Sequence, residues 1–116
     1  MIGVVGGTGL RKIDGFNIAR ELLVDTPYGK PSDKILVGKL EDRDVAFLAR
    51  HGEGHTIPPH LINYRANIFA LENLGVEAIF SIATVGSIPS EIQPGSIVFP
   101  HQIIDYTYGR EHTYFD

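Results

Sequence analysis

The sequence predicts an α/β domain built on a mixed, mostly buried β-sheet flanked by helices. Two observations support this fold class. Short apolar segments such as residues 2–5 and 44–49 have the composition of buried strands, and each leads into a turn or loop. One later segment instead repeats apolar residues at spacings of three and four, which is typical of a helical face; these are Leu61, Tyr64, Ile68 and Leu71.

The elements follow from the positions of the apolar runs and of the turn residues between them. The turn-rich segment 26–33 indicates a hairpin-type connection between its flanking strands. Gly75 suits the residue just after a helix, where a left-handed conformation ends it. The runs predicted as strands are residues 2–5, 17–24, 34–40, 44–49, 76–85, 96–100 and 102–107.

Length and composition favour a single globular domain, residues 1–116, that acts on small molecules. The net charge is −4 and the basic residues are scattered, so the sequence gives no electrostatic footprint for nucleic acid or for an anionic membrane. The absence of cysteine removes disulfides and thiolate chemistry and fits a cytoplasmic protein. No apolar run approaches the roughly 20 residues that a membrane span needs.

A glycine cluster, Gly6-Gly7-Thr8-Gly9, follows the first predicted strand. Glycines at such a point let backbone N–H groups approach an anion closely, and Thr8 adds a hydroxyl donor. A phosphate site and a simple tight turn are both compatible with this cluster. The segment lacks the Gly-Lys-Ser/Thr of a nucleotide-binding P-loop and the third glycine of the dinucleotide fingerprint.

Two further strand ends carry candidate phosphate ligands. Arg50 and His51 follow the strand 44–49 and could offer a guanidinium fork and a second donor to one oxyanion, although a surface ion pair and a structural histidine are the alternatives. Ala83 and Thr84 lie near the end of the strand 76–85, where backbone amides could complete the cradle. The loop that holds His51 and two further histidines lacks the pattern of a metal site, so no metal is predicted.

The order of these motifs resembles the S-methyl-5'-thioadenosine and S-methyl-5'-thioinosine phosphorylase family of purine nucleoside phosphorylases, and the resemblance covers the whole chain. Residues 101–115 are most similar to the methylthioinosine-type members. The motifs that carry the resemblance are Gly6-Gly7-Thr8-Gly9-Leu10, residues 25–32, Leu48-Ala49-Arg50-His51-Gly52, residues 55–59, residues 63–67 and residues 91–95.

The resemblance implies a nucleoside phosphorylase-like fold and the phosphorolysis of 5'-methylthio purine nucleosides to free purine and 5-methylthioribose-1-phosphate. It implies phosphate binding by Thr8, Arg50, His51, Ala83 and Thr84. Only the backbone of Ala83 and Thr84 carries over, because the family more often has Thr-Ala or Asn-Ala there. No cofactor is implied beyond phosphate as co-substrate, and the expected partners are the nucleoside, phosphate and further copies of the chain in a trimer or hexamer.

The resemblance also implies that residues 1–116 are the N-terminal, phosphate-binding portion of a single phosphorylase domain, because family members continue and grip the purine with later residues. The preference for adenine or hypoxanthine is therefore not readable. A truncated, non-catalytic fragment that keeps only phosphate binding and assembly surfaces is the alternative. The aromatic segment 105–115 suits purine stacking, a subunit contact or an edge strand.

Overall fold

The computed structural model describes residues 1–7, 9 and 12–115. Its main feature is a five-stranded mixed sheet with one α-helix among the described residues, which confirms the predicted α/β class with a mixed sheet. The elements are β1 (Ile2–Gly6), β2 (Phe16–Leu22), β3 (Ile35–Leu40), β4 (Arg43–Ala49), α1 (Tyr64–Asn73) and β5 (Ala78–Ser81), with short 3₁₀ helices at Glu53–His55 and Pro59–Leu61.

The sheet has the strand order β2-β3-β4-β1-β5. The pairs β2–β3 and β3–β4 are antiparallel, and the first of them confirms the predicted hairpin-type connection through residues 26–33. The strand β1 lies between β4 and β5 and pairs with both in parallel, with Gly6 opposite Ala49 and Val5 opposite Ser81. The carboxyl ends of β4, β1 and β5 therefore share one edge of the sheet.

The core lies on both faces of β3 and β4. On one face Ile35, Val37 and Leu48 are buried against Ala70 and Leu71 of α1. On the other face the buried cluster is Leu36, Phe47 and Ala49. Successive strand residues point to opposite faces, so the uninterrupted apolar run of β4 fills both clusters, as expected for a central strand.

The helix α1 is shorter than predicted and presents a different face to the sheet. The prediction placed Leu61 on the helix, but Leu61 lies in the preceding 3₁₀ helix, and Ile62 is extended before Asn63 caps α1. Within α1 the side chain of Ile68 is exposed. The buried face consists of Ala66, Asn67, Ala70 and Leu71, and its two alanines let the helix backbone approach the sheet closely.

The end of α1 agrees with the prediction for Gly75. Gly75 has a φ of 77° and donates its N–H to the carbonyl of Glu72 over 2.8 Å. Val76 donates to the carbonyl of Leu71, which completes a Schellman motif. The described part of the chain has no helix long and apolar enough to cross a membrane.

Three strand predictions in the last third of the sequence are wrong in extent or in kind. The strand predicted over 76–85 is confined to Ala78–Ser81, and its residues are exposed. Segments 96–100 and 102–107 form no strand. A strand is stabilised by its ladder and by burial, and neither segment has a ladder partner among the described residues, so Phe99 is 80% exposed in spite of the apolar sequence around it.

Gly38 provides a test of the sheet packing. It pairs with Ile18 of β2 and Val45 of β4, next to a register shift in β2. A Cβ at this position would overlap the backbone carbonyl of Asn17 and would lie 2.9 Å from the Cα of Ile18. Because backbone atoms cannot turn aside, we expect Gly38→Ala to lower the free energy of unfolding by about 1–3 kcal/mol or more. Urea denaturation measures this, with Gly86→Ala, where a Cβ meets nothing within 4 Å, as the control. Equal stability of the two variants would contradict the packing.

Candidate functional site

The carboxyl ends of the three parallel strands are joined by backbone hydrogen bonds. Arg50, just after β4, donates its N–H to the carbonyl of Gly6 at the end of β1 over 2.9 Å. Ile82, just after β5, donates its N–H to the carbonyl of Val5 over 2.8 Å. The chain segments that carry the predicted site residues Arg50, His51, Ala83 and Thr84 therefore leave the sheet side by side. Open α/β sheets bind their ligands at such an edge.

The side chain of Arg50 reaches across this edge. Its Nη2 donates to the carbonyl oxygen of Ile82 over 3.2 Å, so a residue of β4's end contacts the end of β5. A guanidinium has five N–H donors in one plane, and fixing one of them sets the orientation of the others. This is the geometry needed to present a cation to an oxyanion at the strand ends.

The imidazole of His51 is fixed by its own loop. Its Nδ1 lies 2.9 Å from the carbonyl oxygen of Ile57, and the ring stacks on that of His55 with a centroid distance of 4.2 Å. Because a carbonyl oxygen only accepts, Nδ1 must carry the proton in this bond. Nε2 is then the ring nitrogen left for a ligand; it accepts a hydrogen bond when the ring is neutral and donates one when the ring is protonated.

Gly52 makes the sharp turn that follows His51. Its φ of 73° and ψ of 173° lie in a region open essentially only to glycine. A Cβ there would also stand 3.1 Å from the carbonyl oxygen of Ser32 and 3.3 Å from Cδ1 of Ile57. Backbone conformation and close packing both require glycine after the Arg50-His51 pair.

The glycine cluster after β1 is described only in part. Thr8, a predicted phosphate ligand, lies outside the described residues, and its role stays a prediction. Apart from its neighbours in the chain, none of the described residues would lie within 4 Å of a Cβ on Gly7. Ala83 and Thr84 are exposed just beyond β5, and their predicted backbone contribution to phosphate binding also stays a prediction.

The histidines near the site do not form a metal-ligand group. His51 and His55 are stacked face to face, and His60 lies in the separate 3₁₀ helix Pro59–Leu61. Across the described ranges, no three histidine, aspartate or glutamate side chains are placed to hold a metal ion.

The aromatic segment 105–115 packs on the helix rather than forming an edge strand. The hydroxyl of Tyr114 donates to the carbonyl of Arg65 over 2.8 Å, and its ring meets that of Tyr28 edge-on with a centroid distance of 5.0 Å. The Arg65 guanidinium lies 5.2 Å from the centroid of the same Tyr28 ring and pairs with Glu111. The segment is thus tied to α1 by charge and ring contacts.

A cavity of about 410 Å³ lies between α1 and this segment, lined by residues such as Arg65, Asp105 and Tyr108. Hydrogen bonds from the hydroxyl and then the backbone N–H of Thr107 hold the pKa of Asp105 below its usual value. Burial is the largest cause of the raised pKa of Tyr114. The lining residues come from α1 and from residues 105–114.

The chain that carries Arg50 and His51 at the carboxyl edge of this mixed sheet matches a known class of proteins. The model of the Phosphorylase superfamily matches residues 1–116, and the chain belongs to this superfamily. Within it the chain is similar to a probable S-methyl-5'-thioinosine phosphorylase of Pseudomonas syringae pv. tomato, with 49% identity over 112 residues. It is 51% identical over 115 residues to an S-methyl-5'-thioadenosine phosphorylase of Saccharolobus solfataricus. The predicted resemblance to this family is confirmed.

Solved structures agree with the sequence relatives. A methylthioadenosine phosphorylase from an antarctic soil metagenomic library superimposes with a TM-score of 0.74 at 45% identity, over 80% of this chain and 32% of that one. A variant adenosine/methylthioadenosine phosphorylase from Schistosoma mansoni, in complex with adenine, gives a TM-score of 0.73 at 41% identity, over 81% of this chain and 32% of that one. The match with the Pseudomonas protein takes in 97% of this chain and 46% of that protein, and the match with the Saccharolobus protein takes in 99% and 43%. The chain therefore spans less than half the length of these relatives.

Sequence reasoning located the strand ends but missed the groups that hold Arg50 and His51. Both side chains bind backbone carbonyls, those of Ile82 and Ile57. Any residue type can supply a backbone carbonyl, so nothing in the sequence marks these two positions. Strand pairing brings the Ile82 carbonyl within reach of Arg50, and the conformation of the loop after β4 brings the Ile57 carbonyl within reach of His51.

The hydrogen bond from His51 to Ile57 predicts the tautomer of a single ring. We expect His51 in its neutral form to carry its proton on Nδ1, because the Ile57 carbonyl can only accept. Nitrogen-15 NMR of the histidine-labelled protein distinguishes the two ring nitrogens, with His51→Gln to assign the signal and the exposed His60 as an internal reference. A proton on Nε2 with Nδ1 unprotonated would contradict this geometry.

Proposed function

We propose that residues 1–116 form the phosphate-binding portion of a purine nucleoside phosphorylase that cleaves methylthioinosine or methylthioadenosine. The products are the free purine and 5-methylthioribose-1-phosphate. The observation that carries the proposal is the meeting of three parallel strand ends, with Arg50 bonded to the ends of both β1 and β5. The names of the sequence relatives supply the substrate class.

In this reaction phosphate is the nucleophile. One phosphate oxygen forms a bond to the anomeric carbon of the ribose as the bond from that carbon to the purine nitrogen breaks. The bonding electron pair leaves with the purine, which takes up a proton. By analogy with other glycosidic cleavages the transition state has oxocarbenium character, so an anion held beside the ribose stabilises the developing positive charge.

The residues of the site divide this work. Arg50 supplies a fixed cation, and Thr8 and His51 supply further contacts that orient the phosphate oxygens. The backbone beyond β1 and at Ala83-Thr84 supplies N–H groups, which bind an anion without placing a carboxylate near it. Holding the nucleophile in line with the anomeric carbon replaces a bimolecular encounter by a positioned one. No cofactor takes part beyond phosphate as co-substrate.

The proposal extends to the setting of the enzyme. By family resemblance, the enzyme is a cytoplasmic homo-oligomer, either a trimer or a hexamer. Its substrate is a small-molecule nucleoside, and its reaction belongs to purine salvage. Exposed apolar side chains beyond β5, among them Ile97, Phe99 and Ile103, support a further packing partner for this side of the sheet.

The reaction type can be tested directly. We expect the purified protein to release purine from methylthioinosine or methylthioadenosine only when inorganic phosphate is present, with one 5-methylthioribose-1-phosphate formed per purine. Chromatography of both products measures this, and a parallel sample without phosphate is the control. Purine release at the same rate without phosphate would make the protein a hydrolase, and phosphate binding without release of either base would leave only the binding role.

Arg50 is the residue on which the site assignment depends most. We expect Arg50→Ala to lower kcat/KM for phosphate on the order of 10²-fold or more, because a fixed charged donor to the reacting anion is lost. Arg20→Ala is a matched control, since Arg20 is exposed on the edge strand β2. Unfolding curves of both variants should show that each is folded under the conditions of the assay. A kcat/KM for phosphate equal to that of the control would refute the role of Arg50.

A further inference from the structure

Asn67 is a buried polar residue in the apolar face of α1. It is 2% exposed and lies between the sheet-facing residues Ala66 and Ala70. Its Oδ1 accepts the backbone N–H of Ser32 over 2.7 Å, and its Nδ2 donates to the hydroxyl of the same serine over 2.9 Å. Burying an amide is costly unless it is paired, so this two-bond contact fixes Ser32 at one place on the helix.

Ser32 in turn supports the turn that carries the candidate site. Its carbonyl oxygen packs so closely on Gly52 that a Cβ there would be only 3.1 Å away. Both partners of this contact are backbone groups, so neither can change rotamer to make room. A shift of Ser32 toward the turn would therefore press on the backbone of Gly52.

The turn that begins at Arg50 is cross-linked by hydrogen bonds among its own residues. His51 is bonded twice to Ile57, since its backbone carbonyl accepts the N–H of Ile57 over 2.9 Å and its ring bonds the Ile57 carbonyl. Gly52 is bonded to Ala49 and His55 through its N–H and its carbonyl. A displacement at Gly52 is thus transmitted to the ring of His51 and to the neighbouring Arg50.

We propose that Asn67 is a positioning residue for phosphate, acting from the helix through Ser32 and Gly52 on the Arg50-His51 pair. The inference rests on the proposed function of that pair. In the described structure the Asn67 side chain bonds Ser32 and not the Arg50-His51 pair, so its effect is on the placement of those two side chains relative to the strand ends. This explains why an amide, rather than a further apolar residue, occupies the sheet-facing side of α1.

A purely structural role would have a different signature. If Asn67 only stabilised the fold, its loss would reduce the fraction of active molecules and so lower the apparent kcat, while the KM for phosphate would stay unchanged. A positioning role raises the KM for phosphate among molecules that are folded. The KM for the nucleoside should move little, because the turn holds the phosphate donors.

Asn63 offers a matched control on the same helix and the same loop. Its Nδ2 donates to the carbonyl of Tyr28 over 2.6 Å and its Oδ1 caps α1 at the N–H of Ala66. Removal of such a cap destabilises the helix. Asn63→Ala therefore weakens the helix and the loop without breaking the contact to Ser32.

The experiment compares Asn67→Ala, Ser32→Ala and Asn63→Ala in steady-state phosphorolysis, below the onset of unfolding for each variant. We expect the KM for phosphate to rise about ten-fold or more in Asn67→Ala, since misplacement of catalytic groups by about 1 Å is costly. Ser32→Ala, which keeps the bond from its N–H to Oδ1, should give a smaller rise, and Asn63→Ala none.

The outcomes separate this inference from the proposed function. A KM for phosphate in Asn67→Ala equal to that of Asn63→Ala overturns the positioning role, whatever Arg50→Ala does. An unchanged KM for phosphate in Arg50→Ala overturns the site itself. If Asn67→Ala does not fold, Ser32→Ala decides: a KM for phosphate equal to that of the unsubstituted protein overturns the inference, and a raised one supports it.

Discussion

The parallel pairing of β1 with β4 and β5 is the constraint on which the rest of the molecule depends. Parallel strands end on the same side, so the backbone bonds from Arg50 to Gly6 and from Ile82 to Val5 bring three chain segments together at one edge. An antiparallel neighbour would place its end at the opposite edge, as β3 does beside β4. Strand direction therefore brings the segments of the candidate phosphate site together, and the side chains of those segments then complete it.

The side chains then use this edge by binding backbone. Arg50 binds the carbonyl of Ile82, and His51 binds that of Ile57. Each bond removes conformational freedom from a side chain of the proposed site, and groups that are already ordered bind and stabilise charge more effectively than mobile ones. The turn that carries these side chains is tightly constrained, and Gly52 adopts in it a conformation that other residues avoid.

The helix contributes to the site as well as to the core. Its small residues allow close packing on the sheet, and the space so gained admits Asn67, which is buried and bonded twice to Ser32. The segment 26–33, which connects β2 to β3, is thereby held against the turn after β4. One buried amide satisfies the loop backbone at Ser32, whose carbonyl oxygen in turn lies beside Gly52.

The sequence by itself determined the fold class, the first four strands and the stop of α1 at Gly75, because glycine, proline and apolar runs act locally on the backbone. It also marked Arg50 and His51 as residues at a strand end, and its motif order indicated the family. It wrongly predicted strands over 96–100 and 102–107, because an apolar run becomes a strand only with a ladder partner. The backbone anchors of Arg50 and His51 were decided by the folded structure, since any amino acid can supply a backbone carbonyl. The contacts from Arg50 to Ile82 and from Asn67 to Ser32 also join residues 32 and 35 positions apart in the chain, which only the tertiary structure brings together.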